Sequence, residues 1–265
     1  MSVIFLHQTL DTTSYPSIAI TASEALATGY PLTNLQDQYK NTYAKSNTTV
    51  QNQTINIDLG TSVAIDYAGF LTHNFTSVGA TTIPLQYDLD DDVGFGTPID
   101  ADADVTTADG TFSYTSFTTV GSTTKRYLKL KFAKGSALSA APYIGQIFLG
   151  TKFTHAYNYS IGNTEETGYE VITQRSWDGT DSAYLQYTTS RRYWGSVKFQ
   201  IITSAYKTNF DTWFQSVKGG YRPFMMSTDS GTTWYYVRVA EKQIAYVNKG
   251  ADYWEATLNF YEQIG

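Results

Sequence analysis

The stretch Gln51–Phe75, QNQTINIDLGTSVAIDYAGFLTHNF, decides the fold. A polar turn runs into Ile55, Ile57 and Leu59, apolar at every second position, and Gly60 is read as the end of that strand. A second β-run, Val63 to Leu71, follows and closes on the pair His73–Asn74. Successive strand side chains point to opposite faces, so a period of two interrupted by Gly marks consecutive strands of an antiparallel sheet. Working outward, strands are predicted at about 16–21, 82–88, 112–119, 125–132 and 143–149. Short strands between turn signals, with no convincing helix before Gly150, indicate a β-sandwich.

Gly150 is the predicted domain boundary, giving domains 1–150 and 151–265. Strands are expected at Tyr157–Ser160, Tyr169–Thr173, Tyr184–Thr188 and Tyr193–Thr203, with Asp178-Gly179 supplying a tight turn. The single strong helix signal follows. Thr203-Ser204 offers an N-cap and Gly219-Gly220 a stop, while Tyr206, Phe210, Trp213, Phe214 and Val217 form one apolar face. Two strand pairs close the chain, Phe224–Met226 with Trp234–Val239 and Gln243–Val247 with Trp254–Tyr261. The expected fold class is therefore mainly β, two β-sandwich domains with one amphipathic helix in the second.

Charged residues make up only 16% of the 265, and 22 Tyr, 14 Phe and 5 Trp take their place. Aromatics and Thr suit pleated surfaces. Abundant Tyr suits packed subunit interfaces equally well, because the ring is buried while the hydroxyl keeps a partner. Net charge is −6, all of it in residues 1–150, since residues 151–265 are neutral. A nucleic-acid partner would require a basic face, and the one basic cluster, Arg191-Arg192 beside Tyr193 and Trp194, reads better as subunit interface or surface. Cys is absent, which removes disulfides, thiolate nucleophiles and Cys-based zinc sites. The N-terminus lacks the basic start and apolar run of a signal peptide, and no stretch is long enough to insert in a bilayer. A soluble protein folding in a cytoplasm is the expectation.

Chemistry is sparse. His7, His73 and His155 fall in no metal-ligand spacing, and there is no GxSxG elbow, Walker loop or dinucleotide fingerprint. His73–Asn74 reads as a buried hydrogen-bonding pair or as a sugar contact at the loop end of the sandwich. Asp88, Asp90, Asp91, Asp92, Asp100, Asp102 and Asp104 offer calcium enough oxygens, yet their spacing is no EF-hand and suits a solvated strand edge. No cofactor is expected, calcium being the one left open. The same acids could form a glycosidase pair, but no single one stands in an apolar setting, so the chain is read as a non-enzyme.

Four motifs in order resemble discoidin-like jelly rolls of the galactose-binding-like family: Tyr30-Pro-Leu-Thr-Asn-Leu-Gln-Asp37, the 51–75 stretch, Arg126–Lys131 and Pro142–Gly150. The resemblance implies a binding module whose glycan-facing loops would carry Asn34, Asp37, Tyr39, Tyr43, His73 and Asn74. Residues 175–265 resemble the tube-like domain of long-tailed phage tail-tip proteins, the distal and minor tail proteins. Arg192, Trp194, Phe210, Trp213, Phe214, Gly219, Pro223 and Phe224 fill that family's pattern, although its tube-like domain commonly comes first. This second resemblance implies a virion tail protein assembled in the host cytoplasm. It would form a three- or six-fold ring with itself and neighbouring tail proteins, Arg191, Arg192 and Tyr193 lying at the subunit interface, with a host-surface glycan as a further partner. A stand-alone carbohydrate-binding module is the alternative, and a glycan-cleaving enzyme the third reading.

Overall fold

A computed structural model describes residues 2–12, 14–79, 85–87, 99–100, 112–116, 124–132, 136–155, 164–168, 171–175, 181–185, 190–201 and 203–263. The chain forms two compact units, Leu6–Lys152 and a second unit that joins Met1–Phe5 to Phe153–Gly265. Strand β1 (Val3–Leu6) opens the chain. The Leu6–Lys152 unit then holds β2 (Ala19–Ala22), β3 (Ala44–Lys45), β4 (Gln53–Ala64), β5 (Tyr67–His73), β6 (Leu85–Tyr87), β7 (Ile99–Asp100), β8 (Ser113–Ser116), β9 (Thr124–Phe132) and β10 (Tyr143–Gly150). The remainder supplies β11 (Phe153–His155), β12 (Thr164–Gly168), β13 (Val171–Arg175), β14 (Asp181–Leu185) and β15 (Arg191–Ile201). Helix α1 (Ser204–Ser216) precedes β16 (Phe224–Ser227), β17 (Tyr235–Val239), β18 (Tyr246–Gly250) and β19 (Tyr253–Glu262).

The Leu6–Lys152 unit is a β-sandwich of jelly-roll type, with sheets ordered β2-β4-β9-β6-β7 and β3-β10-β5-β8. Ile57, Leu59, Leu128, Leu130 and Phe132 come from the first sheet. Ala44, Ala68, Phe70, Ile144 and Leu149 come from the second, and all join one buried cluster. Alternation in β4 and β9 is what lets a strand give one face to this core and the other to water.

Gly60 does not end a strand. β4 runs through it as a bulge, with the register on β9 shifting between Asp58 and Val63. The extra residues are accommodated because Gly60 takes a φ of +77° and donates its N–H to Asp58 Oδ1 at 2.8 Å. The Arg126 guanidinium bonds the same carboxylate at 2.7 Å and holds the Asp58 carboxyl below its usual range. The following strand accordingly starts at Tyr67, not Val63, and reaches His73.

The other unit departs from a cut at Gly150. β1 is an inner strand of an eight-stranded sheet ordered β11-β1-β16-β17-β19-β15-β12, with β18 paired to β19. Val3 pairs with His155 and Phe5 with Phe153, so the chain leaves this unit and re-enters it at facing residues. The jelly roll is thus an insertion between two segments of one domain. The short run Val3-Ile-Phe-Leu6 expects no particular partner when read locally, and its partners β11 and β16 lie about 150 and more than 200 residues away.

Helix α1 covers one face of that sheet, as its pattern demands. Phe210, Trp213, Phe214 and Val217 pack with Val3, Phe5, Phe199, Phe224, Leu258 and Phe260. Thr203 caps the N-terminus by accepting the Tyr206 N–H at 3.1 Å. At the other end Gly219 and Gly220 take φ of +55° and +81°, and a Cβ on Gly220 would lie 2.1 Å from the Val239 carbonyl oxygen. Only Gly satisfies both requirements. Ala256, Leu258 and Phe260 of β19 are buried on the helix side, as their alternation with Thr257 and Asn259 predicts. The turn at Trp177–Thr180 and the strand expected at Tyr157–Ser160 lie outside the described residues.

Candidate functional site: a tyrosine face on the jelly roll

The predicted sugar-facing residues divide into buried and presented groups. His73 is 0% exposed; its ring stacks on Phe75 at 3.9 Å and Nδ1 accepts the Phe75 N–H at 3.3 Å. Asn74 is buried too, donating from Nδ2 to the Ala141 carbonyl at 2.9 Å and accepting the Tyr143 N–H on Oδ1 at 2.8 Å. This pair holds the start of β10 to the end of β5. Its burial takes both residues off the surface where a glycan would lie, because paired polar groups inside a core are structural.

The other four form one built segment. Asn34, in a 3-10 turn at Leu32–Leu35, donates from its amide to the Tyr43 carbonyl at 3.0 Å. Asp37 accepts on Oδ1 the Tyr39 N–H at 2.9 Å and the Thr42 hydroxyl at 2.8 Å, closing a turn between them. Thr72 ties this turn down by donating to the Lys40 carbonyl at 2.8 Å. Asn34 and Asp37 thus direct these hydrogen bonds at their own segment and hold its shape. Tyr39, 69% exposed, is the side chain this turn presents.

Tyr43 leads from the turn into β3 and joins two tyrosines the sequence reading did not include. Its ring stacks on Tyr30 with centroids 4.8 Å apart and 14° between planes, and packs against Tyr143 at 4.7 Å with the planes tilted by 37°. Tyr143 pairs directly with Lys45 in the β3–β10 ladder, and the Lys45 ammonium lies 5.9 Å from the Tyr30 ring centre. The neighbouring Tyr30 hydroxyl, followed by partial desolvation, pushes the Tyr43 phenol up. The result is a half-buried stack of three phenols with a cation at its edge. Only the register of β3 on β10 brings Tyr143 beside Tyr43, about 100 residues away along the chain.

Arg191, Arg192 and Tyr193 open β15. Arg192 lies 4.9 Å over the Tyr235 ring and donates to its hydroxyl at 2.9 Å, while Arg191 lies 5.2 Å over Tyr261. Both guanidiniums thus rest on aromatic rings of their own unit, and Tyr193 is the exposed member of the three. Of the acidic run, Asp100 lies in β7 and the others fall outside the described residues. No group of three His, Cys, Asp or Glu comes together among the described residues, and no helix among them is long and apolar enough to cross a membrane.

No family model matches the chain, and no curated protein does. Similar solved structures cover about half of it. CBM32-1 from a family 31 glycoside hydrolase of Clostridium perfringens is 11% identical with a TM-score of 0.41, over 52% of this chain and 96% of that one. Chitosan-binding module 1 from a chitosanase/glucanase of Paenibacillus sp. IK-5 is 19% identical with a TM-score of 0.41, over 56% and 98%. CpGH89CBM32-5 of Clostridium perfringens, solved with GalNAc-β-1,3-galactose, is 17% identical with a TM-score of 0.42, over 52% and 97%.

Proposed function

We propose that this chain is a carbohydrate-binding protein whose inserted jelly roll meets a glycan with the Tyr30–Tyr43–Tyr143 stack, Lys45 and Tyr39. The stack carries this reading. A sugar ring combines an apolar C–H face with a rim of hydroxyls, and a phenol offers an apolar face and a hydroxyl in the same way. Rings already stacked on one another lose little side-chain freedom when a ligand arrives. Glycan-array screening of the full-length chain, followed by calorimetric titration of the best sugar, tests it. Tyr39→Ala and Tyr143→Ala should each weaken binding at least about tenfold, a change of about 1.4 kcal/mol. Tyr221→Ala, an equally exposed tyrosine of the other unit, should leave it unchanged. A chain that binds no glycan, or whose binding survives both losses, sinks the proposal.

One observation favours a second role for the same molecule. The unit containing α1 also contains β1, so its two segments flank the jelly roll and one of its inner strands precedes it, as the tube-like part does in the tail-tip resemblance. Trp194, Phe210, Trp213, Phe214 and Phe224, named in that resemblance, share its core. We propose that this unit forms the ring of a tail tip in a virion, with neighbouring tail proteins as partners, and carries the jelly roll to host glycans. Mass photometry of the full-length chain, alone and mixed with such neighbours, decides. A chain that stays monomeric throughout while binding sugar is a stand-alone module.

A further inference from the structure

Helix α1 covers one face of the eight-stranded sheet, where Trp194, Phe260 and Val239 of β15, β19 and β17 join its core. Positions one residue along these strands point to the other face. The pairs Glu166↔Tyr193, Tyr193↔Tyr261 and Tyr261↔Arg238 set four such residues in one row across β12, β15, β19 and β17. At about 4.8 Å per strand the row is about 14 Å long. Glu166 is exposed, Tyr193 is 36% exposed, and Tyr261 and Arg238 are half-buried. Arg191, resting 5.2 Å over the Tyr261 ring, limits the motion of that ring. The Arg238 Nε is buried with no acceptor among the described residues, so this guanidinium is short of partners.

The row reads carboxylate, phenol, phenol, guanidinium. A two-fold axis parallel to the strands, between β15 and β19, reverses that order. Glu166 of one copy then faces Arg238 of the other, and Tyr193 faces Tyr261, at both ends and in the middle of the same contact. We infer that this face is a two-fold docking surface for a second copy of this chain. Sheets packed face to face lie about 10 Å apart, a gap that two layers of tyrosine fill. Aromatic rings at the centre with charges at the rim is the usual anatomy of a protein interface, and a two-fold contact requires a self-complementary patch. A two-fold axis along the row would instead oppose like charges. Four strands make a small interface, so the dimer should depend on concentration. The inference rests neither on the glycan reading nor on the ring reading.

Mass photometry and sedimentation velocity of the full-length chain test it over a concentration series. The wild type should form a two-chain species. Glu166→Arg alone and Arg238→Glu alone each oppose like charges and should weaken that species at least about tenfold. Mixed together, these two variants should pair with each other, because each then meets opposite charge at both ends of the row. The double variant, with the charges exchanged within one chain, should regain the dimer. Tyr193→Ala should weaken it about tenfold as well. If thermal melts show that Arg238→Glu does not fold, Glu166→Arg and Tyr193→Ala, both at exposed positions, decide the matter. A wild type that stays monomeric up to its solubility limit overturns the inference. So do folded variants that dimerise as the wild type does, or folded single variants that fail to pair when mixed. Rings that persist unchanged in every variant overturn it too and leave the tail-tip reading standing.

Discussion

The ring of Phe5 lies stacked on the indole of Trp213, centroids 4.4 Å apart and planes 16° from parallel, although more than 200 residues separate them in sequence. Phe5 also meets Phe224 edge-on at 5.4 Å and Phe153 at 6.0 Å. An N-terminal residue is thus the centre of the aromatic core that joins α1 to its sheet.

It follows that a fragment starting at residue 151 should not fold, because it lacks an inner strand. Loss of Phe5 to Ala should cost about 3–5 kcal/mol, the range for large buried aromatics. Circular dichroism melts of 151–265, with and without a linked copy of residues 1–6, check this. A cooperative transition in the bare fragment would contradict the strand assignment. Residues 6–152, with their own core, should melt cooperatively alone.

Trp213→Ala should cost about 3–5 kcal/mol, while Gln215→Ala, on the exposed side of α1, should cost within about 0.5 kcal/mol. The buried indole N–H of Trp213 finds no acceptor among the described residues. Trp213→Phe should therefore be much milder than Trp213→Ala, since it removes an unsatisfied donor together with volume. Urea titrations of the three variants give the comparison.

The Gly220 backbone predicts a third outcome. Gly220→Ala combines a left-handed φ with a Cβ placed against the Val239 carbonyl, so it should destabilise by more than the roughly 1 kcal/mol of an exposed helical Gly–Ala difference. Gly29→Ala, with a similar φ of +85° and open space around it, should cost less. Equal losses would mean that conformation alone, and not the close approach, sets the cost.

Acid should weaken the unit that holds His155. Burial pushes its imidazole down from 6.5 to about 4, and Nδ1 bonds the Tyr206 hydroxyl at 2.6 Å. The unfolded chain then binds the extra proton first, so the contribution is fully present above about pH 6.5 and is lost as pH falls toward 4. Full loss is on the order of 3 kcal/mol. Melting temperatures between pH 7 and 4.5 should fall in the wild type and flatten in His155→Phe; parallel curves would exclude His155 as the cause.

Much of this was legible in the residues, and the rest was not, for identifiable reasons. Thr203, Gly219 and the spacing of Phe210, Trp213 and Phe214 placed α1, because caps and a helical period are local signals. The alternation of Ala256, Leu258 and Phe260 placed β19 for the same reason. The hydrogen-bonding pair at His73–Asn74 was readable too. Gly60 misled, since a Gly that ends a strand and one that bulges it look alike until the partner strand is known. β1 and Tyr143 were invisible as partners because both depend on pairing across about 100 residues or more. Tyr39 and Tyr43 were named from their loop alone, whereas the contact of Tyr43 with Tyr143 depends on the register of β3 on β10.

The facing positions of Phe5 and Phe153 have a consequence for biosynthesis. When β1 leaves the ribosome its neighbours do not yet exist, and about 150 residues must be translated before β11 appears. At about 5–20 residues per second this leaves the apolar Val3-Ile-Phe-Leu6 segment waiting for about 7–30 s. The jelly roll, complete by Lys152, can fold in that interval, so the nascent chain acquires its inserted module before the domain that frames it. A chaperone would meet an unpaired hydrophobic strand tethered to a finished sandwich.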